Sequence, residues 1–323
     1  MPVIESSYKN PPFFQFNGHL QSIIPSIFRK VEGIFYERER LTLSDGDFVD
    51  IDWLKNDNNK LVILTHGLEG DSHRHYIKGP AKLFSQHGYD VLAWNCRSCS
   101  GEINRALRLY NHGEIGDFGE VIGHALKQKK YQKVVLVGFS MGGNITLKYL
   151  GANGSKIPAE IKVGVSFSAP TDLLSSVELL DLPSNLFYRK RFMDKLFKKM
   201  EIKAKMHPNQ IDLSLYKKVK VWKDFDTFFS APINGFKSAD ELYEQASAIN
   251  FMDGITIPVL ICNAQNDPLL SPECTPSKLA QRHPFIFVES SKQGGHVGFM
   301  NPNQEFTWAE LRALDFVTKS LVG

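Results

Sequence analysis

The sequence predicts an α/β fold in which a mostly parallel, doubly wound sheet carries an antiparallel N-terminal edge and a helical cap insertion. Short apolar runs such as residues 61–65 alternate with segments of helical periodicity, as in parallel sheets that are covered on both faces. Two β-rich segments flank Asp45-Gly46, a pair that favours a tight hairpin. Residues 169–250 form an interruption too long for an ordinary connection, with its own helical pattern.

The predicted elements follow from apolar periodicity and from turn residues. The hairpin strands are residues 39–43 and 48–53. The remaining elements are, in chain order, a strand at 61–65, a helix at 77–86, a strand at 90–94, a helix at 116–129, a strand that begins at 134, a helix at 141–150, strands at 161–167, 257–262 and 285–288, and a closing helix at 306–321.

The predicted division places the core in residues 1–168 and 251–323 and the helical cap in residues 169–250. Residues 1–36 are expected to be an extension that packs near the core or the cap. Within the cap, residues 186–200 mix basic side chains with large apolar ones at helical spacing. Two interpretations stay open: a solvated helix that packs its apolar side on the core, or a basic amphipathic helix that attracts an anionic lipid surface or a negatively charged head group.

Composition restricts the class of protein. The chain has 323 residues, 42% of them hydrophobic, and a net charge of +3, which is too small to predict a nucleic-acid partner. Four cysteines in a chain of this length do not make a disulfide framework. Since no apolar run is long enough to span a bilayer and the N-terminus lacks the order of a signal peptide, a cytoplasmic protein is expected.

Two clusters resemble metal or redox motifs only superficially. His73 and His75, together with Asp71, fit no established zinc spacing. Cys96 and Cys99 form a lone C-x-x-C without a thioredoxin-like context, so free thiols are expected. Nucleotide and phosphate-binding fingerprints are also lacking in the sequence. We therefore predict neither a metal nor a cofactor.

A β-branched run that ends in Gly138-Phe139-Ser140-Met141-Gly142 predicts a strand, a sharp turn and a helix, with one serine on the turn. Glycine has no Cβ, so the strand and the helix can crowd together while the serine takes a strained conformation. This arrangement predicts that Ser140 is a nucleophile.

The partners of Ser140 are predicted from the loops that follow later strands, because catalytic groups collect at the carboxyl ends of parallel strands. Asp267 follows the strand predicted at 257–262, and His296 follows the strand predicted at 285–288. His296 is expected to act as the base and Asp267 to orient it, in the chain order Ser, Asp, His of α/β-hydrolases. Asp172 is the main alternative acid, although it could also cap a helix.

The same reasoning predicts an oxyanion hole. The backbone N–H of Met141, at the N-terminus of the helix after Ser140, is one expected donor. The N–H of Leu68, in the loop after the strand at 61–65, is the other. His66 is expected to shape this loop rather than act as a base. Residues 95–102 follow another strand and are expected to line the site.

Several segments together resemble the YheT-like family of α/β-hydrolases. They are residues 17–23, residues 66–70, residues 99–102, residues 138–144 and residues 231–236, and the resemblance extends from near residue 10 to the C-terminal helix. It implies the α/β-hydrolase fold and ester hydrolysis of acyl or lipid-like substrates by Ser140, Asp267 and His296. The substrate-pocket candidates on these segments are His66, Glu69, Cys99, Phe139 and Phe236.

The predicted function is therefore that of a serine esterase or lipase-like enzyme, which cleaves esters of short- to medium-chain or lipid-like acyl groups through an acyl-enzyme. The same triad could instead serve an acyltransferase or a thioesterase, because the acyl-enzyme does not dictate its acceptor. A non-catalytic ligand-binding protein with the same fold is a further alternative. A small-molecule ester is the expected partner, with membrane contact through the basic helix as an additional hypothesis.

Overall fold

The structure is a computed structural model that describes residues 2–322. A nine-stranded sheet forms its centre, with the strand order β1-β9-β8-β7-β6-β4-β5-β3-β2. The strands are β1 (Val3–Glu5), β2 (Glu37–Thr42), β3 (Phe48–Leu54), β4 (Lys60–Thr65), β5 (Asp90–Asn95), β6 (Lys133–Phe139), β7 (Ile161–Phe167), β8 (Val259–Ala264) and β9 (Ile286–Ser291).

The sheet is parallel except at one edge, where β3 pairs antiparallel with both β2 and β5. The turn between β2 and β3 contains Asp45 and Gly46, and Gly46 has φ +80°, a conformation that glycine adopts without a steric penalty. The fold class predicted from the sequence is confirmed, including the antiparallel edge.

Helices lie on both faces of the sheet and between β7 and β8. They are α1 (Gly18–Phe28), α2 (His75–Gln86), α3 (Ile115–Gln128), α4 (Met141–Asn153), α5 (Leu173–Leu180), α6 (Leu186–Met206), α7 (Trp222–Phe225), α8 (Ala231–Ile233), α9 (Ala239–Ala246), α10 (Ser277–Arg282) and α11 (Trp308–Val322). A π-helical turn, Asp226–Ser230, joins α7 to α8. Among the helices of residues 2–322, none has the length and apolar character needed to cross a membrane.

Alternate side chains of the central strands bury into separate hydrophobic clusters on the two faces of the sheet. In β4, Leu61 and Ile63 pack into one cluster, and Val62 and Leu64 pack into the other. All four side chains are fully buried, as expected for a parallel strand covered on both faces. This two-sided burial explains why such strands are continuous apolar runs in the sequence.

Helices α5–α9, which we call the inserted helices, have a third hydrophobic cluster. It includes Phe225 and Phe229, which are completely or almost completely buried, and Leu109 from the loop before α3. The inserted helices therefore bury apolar side chains against one another. The predicted boundaries of the cap, residues 169 and 250, stay a prediction.

Two N-terminal elements are absent from the sequence-based prediction. The short strand β1 adds to the sheet edge by pairing parallel to β9, with Ile4 opposite Glu289. Helix α1 begins after the N-cap Asn17, whose side chain accepts a hydrogen bond from the N–H of Leu20. Further along the chain, β8 begins at Val259, two residues later than predicted.

Candidate active site

Ser140 lies on the turn between β6 and α4, in a backbone conformation that side chains rarely adopt. Its φ is 55° and its ψ is −124°. The N–H of Ser140 donates to the carbonyl oxygen of Phe167 on the neighbouring strand β7, over 2.9 Å. Such conformations cost roughly 1–3 kcal/mol and persist only where the surroundings hold them. Here the hydrogen bond to β7 helps to hold the serine in place.

The two glycines of the turn are required by close backbone packing. A Cβ on Gly138 would lie 2.2 Å from the carbonyl oxygen of Gly142. A Cβ on Gly142 would lie 2.2 Å from the carbonyl oxygen of Thr65, at the end of β4. Real Cβ atoms do not approach backbone this closely, so the Gly-x-Ser-x-Gly pattern reflects the packing of α4 against both β6 and the end of β4.

Ser140, His296 and Asp267 form a continuous chain of hydrogen bonds. The Nε2 atom of His296 lies 2.8 Å from the Oγ of Ser140. Its Nδ1 atom lies 2.8 Å and 3.1 Å from the two carboxylate oxygens of Asp267. With the proton on Nδ1, the imidazole donates to Asp267 and accepts from the Ser140 hydroxyl, as a general base requires.

Strand order explains how residues from distant parts of the chain meet. After β4 the chain adds β5 on one side and then returns to place β6 on the other side of β4. The loops after β4 and β6 therefore diverge at a topological switch point, where open α/β sheets form their binding crevice. Strands β7, β8 and β9 follow outward from β6, which brings the loops carrying Asp267 and His296 to the same edge.

Helix α1 connects the loops of Asp267 and His296. The Ser22 hydroxyl accepts the backbone N–H of His296 at 2.7 Å and donates to the carbonyl of Gly18. The side-chain oxygen of Gln21 accepts from Asn266 at 2.9 Å and from the N–H of Gly294 at 2.7 Å. These residues were not predicted as site residues, although they lie in the segment 17–23 on which the family resemblance partly rests.

Two backbone N–H groups beside Ser140 are free to bind an oxyanion. Among the described residues, the N–H groups of Leu68 and Met141 have no backbone acceptor. Met141 is the first residue of α4, where the unsatisfied N–H groups point out of the helix end and create a positive potential. The loop of Leu68 runs close to Ser140, since a Cβ on Gly67 would be 3.0 Å from the Ser140 Cβ.

The residue after Leu68 is held by a buried polar group. Glu69 has φ 54°, and its N–H donates to the hydroxyl of Tyr110 at 3.1 Å. The same hydroxyl donates to the Glu69 carboxylate at 2.5 Å, and the ammonium of Lys199 on α6 lies 2.6 Å from that carboxylate. Tyr110 and Lys199 are distant in sequence from this loop, and the sequence-based prediction did not include them.

His66 has a supporting position in the same loop. Its Nδ1–H donates to the carbonyl of Gly67 at 2.7 Å, and its Nε2 accepts the N–H of Cys96 at 3.0 Å. The ring is completely buried, and burial lowers the pKa of His66 to about 4. A neutral ring matches both hydrogen bonds. His66 therefore connects the loop after β4 to the loop after β5.

Two cavities meet at Ser140 and His296. Leu68, Phe192 and Leu269 also contribute to both. The first cavity, which we call the basic lobe, is further lined by residues that include Glu69, Arg74, Arg191 and Lys195. The second, the apolar lobe, extends under the inserted helices and is further lined mainly by apolar residues, among them Leu173, Val177, Leu180, Trp222 and Leu242.

Four pocket candidates, His66, Cys99, Phe139 and Phe236, do not line either cavity. His66 faces the loop after β5, as described above. The Phe139 side chain is buried in the core, where its ring stacks on that of Phe167. Cys99, a free thiol like Cys96, lies 3.5 Å from the Lys199 ammonium, and Phe236 packs on the hydrophobic cluster of the inserted helices. Of the five candidates, Glu69 alone lines a cavity.

Asp172, the alternative acid, is engaged elsewhere. It is the N-cap of α5, where its side chain accepts the N–H of Ser175 at 3.1 Å. Asp267, by contrast, has a fully buried side chain that contacts His296 and also accepts the N–H of Leu269 at 2.8 Å. The geometry therefore favours Asp267 as the partner of His296.

Comparison with known proteins agrees with this architecture. The family described as alpha/beta hydrolase fold matches residues 60–302. YheT of Escherichia coli (strain K12) is 29% identical over 94% of this chain and 91% of its own length, which confirms the resemblance inferred from the sequence motifs. Phospholipase ABHD3 of Bos taurus is 27% identical over 93% of this chain and 74% of its own length.

A solved structure shows the same fold. The Pyrococcus furiosus esterase Pf2001 superposes with a TM-score of 0.58 and 20% sequence identity, covering 91% of this chain and 96% of that protein. The match to the family spans about three quarters of the chain and includes Ser140, Asp267 and His296. The chain belongs to the α/β-hydrolase fold family.

Proposed function

We propose that this protein is a carboxylic ester hydrolase that works through an acyl-enzyme on Ser140. The observation that carries the proposal is the unbroken chain of hydrogen bonds from Asp267 through His296 to Ser140. Relatives named as a phospholipase and a solved neighbour named as an esterase support ester hydrolysis as the reaction class.

In the first half-reaction, the Ser140 oxygen attacks the ester carbonyl carbon while its proton passes to Nε2 of His296. Negative charge develops on the carbonyl oxygen, and the N–H groups of Leu68 and Met141 stabilise it. Asp267 stabilises the imidazolium that forms. When the tetrahedral intermediate collapses, His296 returns the proton to the alcohol oxygen, the carbon–oxygen bond breaks and the acyl group stays on Ser140.

In the second half-reaction, water replaces the alcohol. His296 accepts a proton from water as the water oxygen attacks the acyl carbon. It then returns that proton to the Ser140 oxygen as the carboxylic acid product leaves. The apolar lobe under the inserted helices suits the acyl group, which supports short- to medium-chain or lipid-like acyl substrates. The inserted helices would thus act as the cap predicted from the sequence.

An alcohol could take the place of water in this second step and give acyl transfer, and a thioester could form the same acyl-enzyme. Rates with p-nitrophenyl esters and acyl-CoA, with and without added ethanol, separate these reactions. We expect release of free acid from the ester to dominate. An acyl-CoA or ester-synthesis rate that exceeds hydrolysis would replace the esterase assignment.

A fluorophosphonate probe tests the nucleophile directly, because it reacts covalently with an activated serine. The intact protein should be labelled and should hydrolyse p-nitrophenyl butyrate. Ser140→Ala should show neither reaction, while Ser155→Ala, a change at an exposed residue outside the candidate site, should retain both. Labelling that persists in Ser140→Ala would assign the nucleophile to another residue.

A cytoplasmic location is a further proposal. It rests on the low number of cysteines, which predicts no disulfide framework. Measuring the distribution of the protein between cell fractions would test it, and recovery outside the cytoplasm would contradict it.

A further inference from the structure

The basic lobe carries an excess of positive charge. Arg74, Arg191 and Lys195 line the same cavity as Ser140 and His296, and Glu69 is the one acidic residue of the lining. Arg74 precedes helix α2, whereas Arg191 and Lys195 lie one turn apart on α6. Cations from two separate elements therefore converge on the space beside the nucleophile.

Two of these cations are fixed close to the proposed oxyanion hole. The Lys195 ammonium lies 3.4 Å from the backbone carbonyl oxygen of Glu69, and the Arg74 guanidinium donates to the same oxygen at 3.2 Å. Glu69 directly follows Leu68, whose N–H is a proposed oxyanion donor. A substrate group bound by these cations would therefore be separated from the ester carbon by only a few atoms.

The neighbouring carboxylates leave this charge largely uncompensated. Lys199 and Tyr110 already engage the Glu69 carboxylate. Asp71 pairs with Arg74 only over 3.8 Å, in a partly exposed position. Within residues 2–322, Arg191 and Lys195 have no carboxylate within ion-pair distance. Burial and the nearby Arg74 guanidinium lower the pKa of Lys195, as expected where a cation has like-charged neighbours.

The apolar lobe offers no comparable charge. Its lining is dominated by leucine, valine and aromatic side chains, with Asp226 and His112 among its few polar members. Burial lowers the pKa of His112 to about 4, so this ring is neutral at pH 7. An amphiphilic ester therefore has one energetically favourable orientation, with its acyl chain in the apolar lobe and its polar portion in the basic lobe.

We propose that the basic lobe is a binding site for an anionic group, such as a phosphate, on the alcohol portion of the ester, with Arg191 and Lys195 as specificity-determining residues. This proposal rests on the proposed esterase function. A guanidinium and an ammonium are the side chains that bind phosphate and carboxylate oxygens through charge-assisted hydrogen bonds. Both side chains line the cavity that contains Ser140, Lys195 half-buried and Arg191 exposed, so we take a substrate group rather than a membrane surface as the ligand.

The exposed face of α6 provides a matched control. Lys198 is exposed on the same helix and does not line either cavity. Substituting Lys198 by Gln changes the net charge of the helix as much as Arg191→Gln or Lys195→Gln does. Attraction to an anionic membrane would depend on all three cations, whereas substrate binding in the cavity depends on the two that line it.

Four water-soluble esters test the proposal. Butyryl esters of glycerol, of glycerol 3-phosphate and of choline share one acyl group and differ in the charge of the alcohol, and a glycerol monoester of glutaric acid carries its charge on the acyl side. We expect kcat/KM for the phosphate ester to exceed that for the glycerol ester by about tenfold, with butyrylcholine the poorest substrate. The advantage should shrink as NaCl rises from 50 to 500 mM.

Substitutions of the cations then show which residues cause the preference for the phosphate ester. Arg191→Gln and Lys195→Gln should each raise KM for the phosphate ester about tenfold with little change for the glycerol ester, whereas Lys198→Gln should leave both unchanged. Equal losses on both esters would mean that the cations only support the oxyanion loop. A preference for the glutarate ester would overturn the assignment to the alcohol side.

Binding to an inactive protein separates this proposal from the esterase assignment. Calorimetry with glycerol 3-phosphate and Ser140→Ala should show binding that Arg191→Gln weakens, even if no ester is hydrolysed. Lack of binding, together with no preference among the esters, would refute the site. Arg191→Gln and Lys195→Gln could instead reduce only sedimentation with anionic phosphatidylglycerol vesicles and leave ester preference and glycerol 3-phosphate binding unchanged. In that case the ligand is a membrane surface and the proposal fails.

Discussion

Ser140, the proposed nucleophile, has an unfavourable backbone conformation. Its positive φ is imposed by the hydrogen bond to β7 and by the packing of α4 on the end of β4. A residue with a Cβ pays a steric cost there that glycine avoids. The proposed nucleophile is thus positioned at the expense of folding stability.

This cost predicts that Ser140→Gly is more stable to unfolding than Ser140→Ala, by about 1 kcal/mol, because only the glycine variant relieves the strain. Both variants should be inactive. Urea unfolding of the two proteins gives the difference in the free energy of unfolding. Equal stabilities would show that the surrounding structure relaxes around Ser140 and stores no strain.

The choice between two acids is also decided at single residues. Asp267→Asn keeps the shape of the side chain but cannot stabilise an imidazolium, so kcat should fall by about 10⁴-fold. Asp172→Asn is the matched control, because asparagine also caps helices and kcat should stay within about twofold. Initial rates with p-nitrophenyl butyrate measure both changes. A larger loss of kcat in Asp172→Asn than in Asp267→Asn would assign the acid to Asp172.

At the scale of elements, helix α6 contributes to the oxyanion loop through Lys199. Its ammonium neutralises the Glu69 carboxylate, which follows Leu68 and is almost completely buried. Without that cation the buried carboxylate would be an uncompensated charge, and its movement into solvent would displace the loop. The position of α6 and the geometry of the proposed oxyanion hole are therefore coupled.

Lys199→Met should lower kcat roughly tenfold to a hundredfold while KM changes little, because a displaced oxyanion donor acts on the transition state. The affinity for a trifluoromethyl ketone, which forms a tetrahedral adduct on serine, should fall in parallel. Lys199→Arg should retain most of the activity. A rise in KM alone would mean that Lys199 contacts substrate instead of supporting Leu68.

The π-helical turn between α7 and α8 places a carboxyl group in an apolar setting. Asp226 lines the apolar lobe and accepts a hydrogen bond from the Tyr243 hydroxyl at 2.8 Å. Burial raises the pKa of Asp226 to about 6. Since the folded state binds this proton more tightly than the unfolded chain does, the contribution of Asp226 to stability is greatest below about pH 4 and is lost as pH rises through 6.

We therefore expect the stability of the wild-type protein, relative to Asp226→Asn, to fall by up to roughly 3 kcal/mol between pH 4 and pH 7. Urea unfolding across this range measures the difference. Asp194→Asn, a substitution at an exposed residue of α6, should have the same free energy of unfolding as the wild type at every pH. A constant difference between wild type and Asp226→Asn would show that Asp226 stays ionised when the protein folds.

At the scale of the whole molecule, the sheet and the inserted helices together form the site. Strand order brings the loops after β4, β6, β8 and β9 to one edge, and the inserted helices enclose the apolar lobe above it. The length of that lobe depends on side chains such as Val177, which is buried and lines it.

Val177→Phe should shorten the apolar lobe. The value of kcat/KM should fall by roughly tenfold or more for p-nitrophenyl esters of eight to ten carbons, since each excluded methylene forfeits about 0.8 kcal/mol, while the butyrate ester is little affected. Leu174→Phe, on the exposed side of the same helix, should leave the profile unchanged. An unaltered chain-length profile in Val177→Phe would place the acyl chain in the basic lobe.

The sequence by itself determined the elements whose causes are local. The strand, turn and helix around Ser140 follow from the spacing of β-branched residues and glycines, and the central strands follow from apolar runs that are buried on both faces. The chain order of Ser140, Asp267 and His296 also limits the fold to one class, because each residue follows a strand and parallel strands end at one edge.

Only the tertiary structure decided which distant residues share a surface. The contacts of Gln21 and Ser22 with the His296 loop, the pairing of Lys199 with Glu69 and the separation of the cavity into basic and apolar lobes join segments that are far apart in the chain. Four of the five pocket candidates lie outside both cavities for the same reason. The direction of a side chain depends on the packing of elements against one another, which local sequence spacing does not specify.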